Sequence, residues 1–258
     1  MTWNPPVSPR LSSQPAREAA SQLDRETVRR SGNRILAALP DSLFQELEPD
    51  LRHVTLPQGA TCMDAHDQID QVYFPQSGMV SLLVATGGGG VVETSSIGRE
   101  GAVGLQCGFG PRLSFTRALV QIPGSFSTVS AARFERMVSS APMLRDLIVR
   151  YTEMLWSEAQ QNAACNAIHD GSSRLCRWLL QCVDRTGSDQ LPLTQESLAE
   201  MLGMRRTTVT LLAQQLQNRG ILRYSRGRIT VLDRAALKKY ACGCYAAVKH
   251  EYLPHDAN

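Results

Sequence analysis

Residues 193–231 read LTQESLAEMLGMRRTTVTLLAQQLQNRGILRYSRGRITV, and this stretch decides the fold. Thr194, with Ser197 three positions on and Gln195 and Glu196 between them, opens a short helix whose apolar face is Leu198, Met201 and Leu202. Gly203 stops it. A second helical pattern starts at once, with Val209, Leu212 and Leu216 on one side and Gly220 as its C-terminal stop. The opposite face carries Arg206, Thr207, Thr210 and Gln214. Two short helices around a glycine turn, the second with arginine and hydroxyl side chains at its exposed N-terminal end, are what a helix-turn-helix needs to enter the major groove. Arginine pairs bidentately with guanine, and threonine reaches a phosphate or a base edge.

After the second helix, Ile221 to Tyr224 and Arg228 to Val231 read as two strands around the turn Ser225-Arg226-Gly227. Such a hairpin is a wing, and its arginines would lie beside the phosphate backbone when the helix occupies the groove. A helix-turn-helix pattern alone has many false matches. Helix, turn, helix and wing in that order are far more specific than the pair of helices.

The rest of the chain fits a soluble protein of two domains: 258 residues, 43% hydrophobic and 20% charged. The net charge of +3 hides an asymmetry, because the chain from Gln190 onward has ten Lys and Arg against five Asp and Glu, leaving 17 against 19 elsewhere. Positive charge therefore collects where a nucleic-acid surface is expected. No run of about 18 apolar residues is present and the N-terminus lacks the apolar core of a secretion signal, so a cytoplasmic protein with no membrane partner is expected. Seven cysteines without a disulfide-framework spacing fit reduced thiols.

Residues 1–32, with Pro5, Pro6, Pro9 and Pro15, are expected to be a disordered extension. Short helices follow, using Ile35, Leu36 and Leu39, then Leu43, Phe44 and Leu47. From Arg52 to about Ser130, short alternating runs broken by Gly and Pro indicate antiparallel β structure, clearest at Met79 to Ala85. Gly87 to Gly90 suits a hairpin tip; no Lys-Ser/Thr and no helix follow it, as a phosphate loop would require. Residues 143–169 form a long helix whose seam is Leu144, Leu147, Ile148, Tyr151 and Leu155, then polar at Glu158 and Asn162. That seam either pairs two copies of the chain or packs on its own β domain. The next helix runs from Ser172 to about Arg185.

Residues 33–252 resemble the Crp/Fnr superfamily of bacterial transcription regulators. The resemblance is carried by VYFPQSGMVSLL, IGREGAVGL, ALVQIPG, the stretch from LPLTQESL to ITVLDR, and the tail CGCY. It implies an α+β fold: an N-terminal antiparallel β-roll of the cyclic-nucleotide-binding type over residues 33–141, a long dimerisation helix over 142–169, and a C-terminal winged helix-turn-helix over 170–258. It also implies a homodimer, joined through Leu144, Ile148, Tyr151 and Leu155, that reads a two-fold symmetric site on double-stranded DNA. RNA polymerase and a small-molecule effector are the further partners it admits. The DNA contacts expected are Arg206 on a base, with Thr207 and Thr210 beside it, and Thr194, Gln195, Arg205, Thr208, Arg226 and Arg228 on phosphates.

Two departures from the family pattern matter. Members that bind cyclic AMP use a Gly-Glu pair for the ribose and an arginine followed by Ser or Thr for the cyclic phosphate. This chain reads Ile97-Gly98-Arg99-Glu100-Gly101-Ala102-Val103-Gly104, with no glutamate after the later glycine, and Pro111-Arg112-Leu113-Ser114, with leucine in place of the hydroxyl. Arg99, Glu100, Arg112 and Ser114 remain the effector candidates, but an arginine without its partners leaves most acceptors of a buried anion unpaired, so no cyclic-nucleotide cofactor is expected. The second helix, in turn, starts at Arg205 without the usual serine cap and has Thr207 and Leu211 where family members have glutamate and arginine, so a different half-site is expected.

An iron-sulfur sensor would group cysteines near the N-terminus, and this chain has none before Cys62. Cys242-Gly-Cys244 is a close pair, but zinc wants four donors and no second pair stands nearby in the sequence, so no metal site is assigned. No catalytic constellation is legible, and an enzyme is not expected. The competing reading is a sensor or interaction module whose winged domain docks protein instead of DNA.

Overall fold

The structure, a computed structural model, describes residues 32–87 and 90–247. The expected N-terminal extension, but for Gly32, the last eleven residues and the centre of the glycine tip lie outside the described residues.

Asn33, just before the first helix, serves two purposes. Its carboxamide oxygen caps α1 (Arg34–Ala37) by accepting from Ile35 and Leu36, and its nitrogen donates to the carbonyls of Pro75 and Gly101 at 3.0 and 2.8 Å. A fully buried amide is thus satisfied at both ends, and the first helix is tied to the β domain. After α2 (Asp41–Leu47), seven strands follow: β1 (Arg52–Leu56), β2 (Thr61–Met63), β3 (Gln71–Pro75), β4 (Met79–Ala85), β5 (Val91–Ile97), β6 (Arg117–Ile122) and β7 (Gly124–Ser130). They form two antiparallel sheets, ordered β1-β7-β3 and β2-β6-β4-β5, with Val80, Ile97, Val120 and Phe126 buried between them. This is the expected roll, and β4 has the expected limits.

The period of two along β4 does more than fill the roll. Val80 faces the inter-sheet core, whereas Met79 and Leu83 belong to the core of the C-terminal domain, which packs on the outer face of this sheet. The helices α3 (Ala131–Ser140) and α4 (Pro142–Ile168) lead there. The first half of α4 buries Leu144, Ile148, Tyr151 and Met154 against α1, α2, α3 and Phe74 of its own roll. The dimer seam expected at Leu144, Ile148, Tyr151 and Leu155 is therefore corrected: these side chains fill the protein's own core, and Leu155 is half-buried against it. An apolar stripe on a helix shows that the face is buried and does not say by what. The exposed face of α4 instead carries Val149, Thr152 and Trp156, the last 68% exposed.

The C-terminal domain comprises α5 (Gly171–Thr186), β8 (Gln190–Leu191), α6 (Gln195–Leu202), α7 (Arg206–Asn218), β9 (Leu222–Ser225), β10 (Arg228–Val231), α8 (Arg234–Tyr240) and α9 (Cys244–Ala247). Its small sheet runs β8-β10-β9. Among the described residues no helix is long and apolar enough to cross a membrane.

Candidate nucleic-acid interface

Thr194 caps α6 through a reciprocal pair: its hydroxyl accepts from Ser197 N at 3.0 Å, and Ser197 Oγ accepts from Thr194 N at 3.1 Å. The helix ends at Gly203, whose φ of +59° is the left-handed conformation that turns the chain directly into α7. Leu198, Met201 and Leu202 of α6 and Val209, Ala213 and Leu216 of α7 are buried, so the two helices lock at a fixed angle. Thr210 adds a pin, since its hydroxyl lies 2.8 Å from Gln195 Oε1 and 2.9 Å from the Arg206 carbonyl. One hydroxyl hydrogen serves one of these acceptors at a time. Gln195 and Thr210 thus hold α6 against α7.

The first turn of α7 is open. Arg205, Arg206, Thr207 and Thr208 are exposed, and the Arg205 side chain makes no capping hydrogen bond; the Thr208 amide donates to the Arg205 carbonyl at 3.0 Å, while no side chain caps the start of the helix at the positive end of its dipole. Arg206 reaches Glu196 at 3.4 Å, but both side chains are more than 60% exposed, so the pair contributes little and gives way easily. One turn on, Leu211 is 60% exposed.

The wing follows α7, and its tip lies near the start of α6, where a Cβ on Gly227 would fall 3.6 Å from Thr194 Cγ2. Arg226 and Gly227 form its two-residue tip with φ of +49° and +75°, and an arginine in the left-handed region costs roughly 1 kcal/mol. Gln217 of α7 accepts from Tyr224 N at 2.8 Å and fixes the hairpin to the helix. Arg228 pairs across from Ser225 and Thr230 from Arg223, so these four share one face and line a shallow basic hollow of about 330 Å³ together with Arg226. Arg223 was not among the expected contacts. The period of two in the hairpin would have found it.

The domain's other side is buried on the roll through polar contacts. Arg185 of α5 donates from Nη2 to both oxygens of Glu158 at 2.7 Å and from Nε to Glu100 at 2.9 Å, with side-chain exposures of 1%, 1% and 7%. Glycine makes this approach possible: a Cβ on Gly98 would lie 2.6 Å from Arg185 Cβ, and one on Gly101 would overlap the Tyr151 hydroxyl. Nearby, Trp178 Nε1 donates to Glu93 Oε1 at 2.6 Å and Ser81 donates to the other oxygen. Burial raises Glu93 to about 7, against the opposing hydrogen bonds of Ser81 and Trp178 and the charge of Arg185. Asn162 donates to Thr94 O at 2.9 Å and accepts from Arg177.

The four effector candidates are not assembled into one cradle. Arg99 is exposed, Glu100 is held by Arg185 and Gly98 N, Arg112 pairs with Glu135 on α3, and Ser114 is buried with its hydroxyl on Thr116 O. Glu100 therefore joins the two domains, which no local pattern in Gly98-Arg99-Glu100-Gly101 discloses.

Residues 173–240 match the family model of the Crp-like helix-turn-helix domain. Over both domains the fold is similar to that of solved Crp/Fnr-family regulators. It superposes on FixK2 from Bradyrhizobium japonicum with a TM-score of 0.64 at 17% identity, covering 75% of this chain and 98% of that one. The c-di-GMP responsive global regulator CLP of Xanthomonas campestris gives 0.61 at 16%, covering 74% and 99%. A CRP/FNR-family transcriptional regulator from Thermus thermophilus, TTHA1359, gives 0.59 at 22%, covering 74% and 98%. A comparison with curated protein sequences gives no match. The Crp-like domain thus spans α5 to α8 and includes every residue of the surface described above.

Proposed function

We propose that this protein is a Crp/Fnr-type transcription regulator that binds a two-fold symmetric operator as a homodimer. The observation that carries this reading is the open first turn of α7, exposed from Arg205 to Thr208 and lacking a side-chain cap, in a domain whose wing also exposes Arg223, Arg226 and Arg228. A helix start without its own acceptor is a phosphate site, and the wing extends the same positive surface. Arg206 takes the base-reading role, with Thr207 beside it, and Leu211 offers an apolar contact to a thymine methyl. Arg205, Thr208, Arg223, Arg226 and Arg228 serve phosphates. Thr194, Gln195 and Thr210 act through positioning, because their side chains already cap α6 and pin it to α7.

The partner helix docks on the exposed face of α4. Val149, Thr152, Trp156 and Ala163, with the half-buried Ala159 between the last two, recur at intervals of three and four, a seam wide enough for a left-handed helix pair and free of charge. The effector, if the roll takes one, is not cyclic AMP: Glu100 is bound to Arg185 and Arg112 to Glu135.

Selection of bound duplexes from a random pool, with and without cyclic nucleotides, tests the whole reading. A palindromic consensus recovered without nucleotide is expected. Absent or salt-independent duplex binding by the purified protein would favour a protein-docking role for the winged domain.

A further inference from the structure

The sequence offers Cys242-Gly-Cys244 as an isolated pair, and the fold supplies the missing partners. Cys165 lies in the last turn of α4, and His169, four positions later, is the residue that ends it, so both project from one side of the helix. After α8 the chain returns to this point and delivers Cys242 and Cys244. One ligand atom from each of Cys165, His169, Cys242 and Cys244 lies within 4.8 Å of every other. Cys165 Sγ is 3.5 Å from Cys242 Sγ, and Cys244 Sγ is 3.5 Å from His169 Nδ1. The edges of a tetrahedron with metal bonds of about 2.3 Å to sulfur and 2.0 Å to nitrogen are roughly 3.5–3.8 Å. All three cysteines are buried in a cluster of their own, apart from the hydrophobic cores.

We infer that Cys165, His169, Cys242 and Cys244 form a structural site for a thiophilic divalent cation, Zn²⁺ by donor set, that clasps the C-terminal segment of the winged domain to the end of the long helix. A Cys₃His set leaves no open position, so the role is to hold and not to catalyse. Its surroundings suit the charge. Three thiolates around a divalent ion sum to −1, and Arg174 and Arg177 of α5 stand close enough to act electrostatically on Cys165, each with a buried Nε that has no partner among the described residues. Gln161 Nε2 donates to Cys244 Sγ at 3.0 Å, an outer contact that orients the thiolate. The site sits where α4 gives way to α5 at Asp170, so a bound ion fixes the angle between the long helix and the winged domain. It stands independently of what the winged domain binds.

The test uses the full-length, tag-free protein purified under reducing conditions. Metal analysis by mass spectrometry is expected to find one zinc per chain, and replacement by Co²⁺ to give the visible bands of tetrahedral thiolate coordination. Cys242→Ser and Cys165→Ser should abolish the spectrum, and Gln161→Ala should weaken cobalt binding by about 10–100-fold. Cys62→Ser, at a cysteine outside the cluster, should leave it unchanged. Should the cluster variants fail to fold, the Co²⁺ titration of the wild-type chain decides. A reduced wild-type protein that holds no zinc and gives no tetrahedral cobalt spectrum overturns the inference. Recovery of Cys165 and Cys242 as a disulfide in that preparation does the same.

Discussion

Replacing Arg185 with Met keeps the length of the side-chain stem but removes the cation that binds Glu158 and Glu100 at the seam between roll and winged domain. In the variant Glu158 loses the donor to both of its oxygens, while Glu100 keeps the amide of Gly98. With side-chain exposures of 1% and 7%, water reaches neither carboxylate well. Breaking a buried pair by removing one partner costs about 3–5 kcal/mol, because a desolvated charge is left uncompensated. For a slope near 3 kcal/mol per molar urea, the midpoint should fall by roughly 1–2 M. The double variant Arg185→Met, Glu158→Gln removes one of the two stranded charges and should recover a large part of the loss, since neutral groups at the same sites cost less than one unpaired ion. Urea titrations followed by circular dichroism and by tryptophan fluorescence make the measurement, two probes being needed for a chain of two domains. A loss below about 1 kcal/mol for Arg185→Met, or a double variant weaker than the single one, would refute the reasoning.

Glu93 gives a pH signature. Its folded value of about 7 lies above the unfolded value near 4.5, so the folded chain keeps a proton the unfolded chain has released, and stability falls as pH rises through this window, by up to about 3 kcal/mol. Glu93→Gln should flatten that slope between pH 5 and 7; an unchanged slope in urea midpoints would assign it to other groups. On DNA, Arg206→Ala should cost about 1–3 kcal/mol and relax sequence preference, whereas Arg228→Ala should weaken all duplexes alike and lower the salt slope by about 1. Equal losses for Arg206→Ala on specific and random duplexes would end its base-reading role. Trp156→Glu should dissociate the proposed dimer in sedimentation with little effect on monomer stability, while Ile148→Ala should cost about 2–5 kcal/mol of stability and leave association intact. The reverse pattern would restore the inner seam as the interface.

Local chemistry made much of the architecture readable. Thr194 with Ser197, Gly203, Gly220 and the alternation of the wing each act within a few residues, so helix, turn, helix and hairpin could be placed from spacing alone. The missing cap at Arg205 was likewise a local fact, and it remains one in the fold. What spacing could not supply was the identity of the neighbour. The stripe Leu144, Ile148, Tyr151 announces a buried face, and the structure gives that face to the protein's own roll.

The same limit applies to the charged and sulfur-bearing groups. Glu100 and Arg185 are 85 positions apart, as are Glu93 and Trp178, and Cys165 and Cys242 are separated by 77. Periodicity tells which side chains share a face of one helix or strand, because backbone geometry repeats every few residues. It carries no record of which faces meet, since that depends on how whole elements pack. The sequence alone thus determined the elements and the helix-turn-helix motif of this protein. Tertiary structure decided that its buried carboxylates join two domains, and that a plain pair of cysteines faces a third and a histidine.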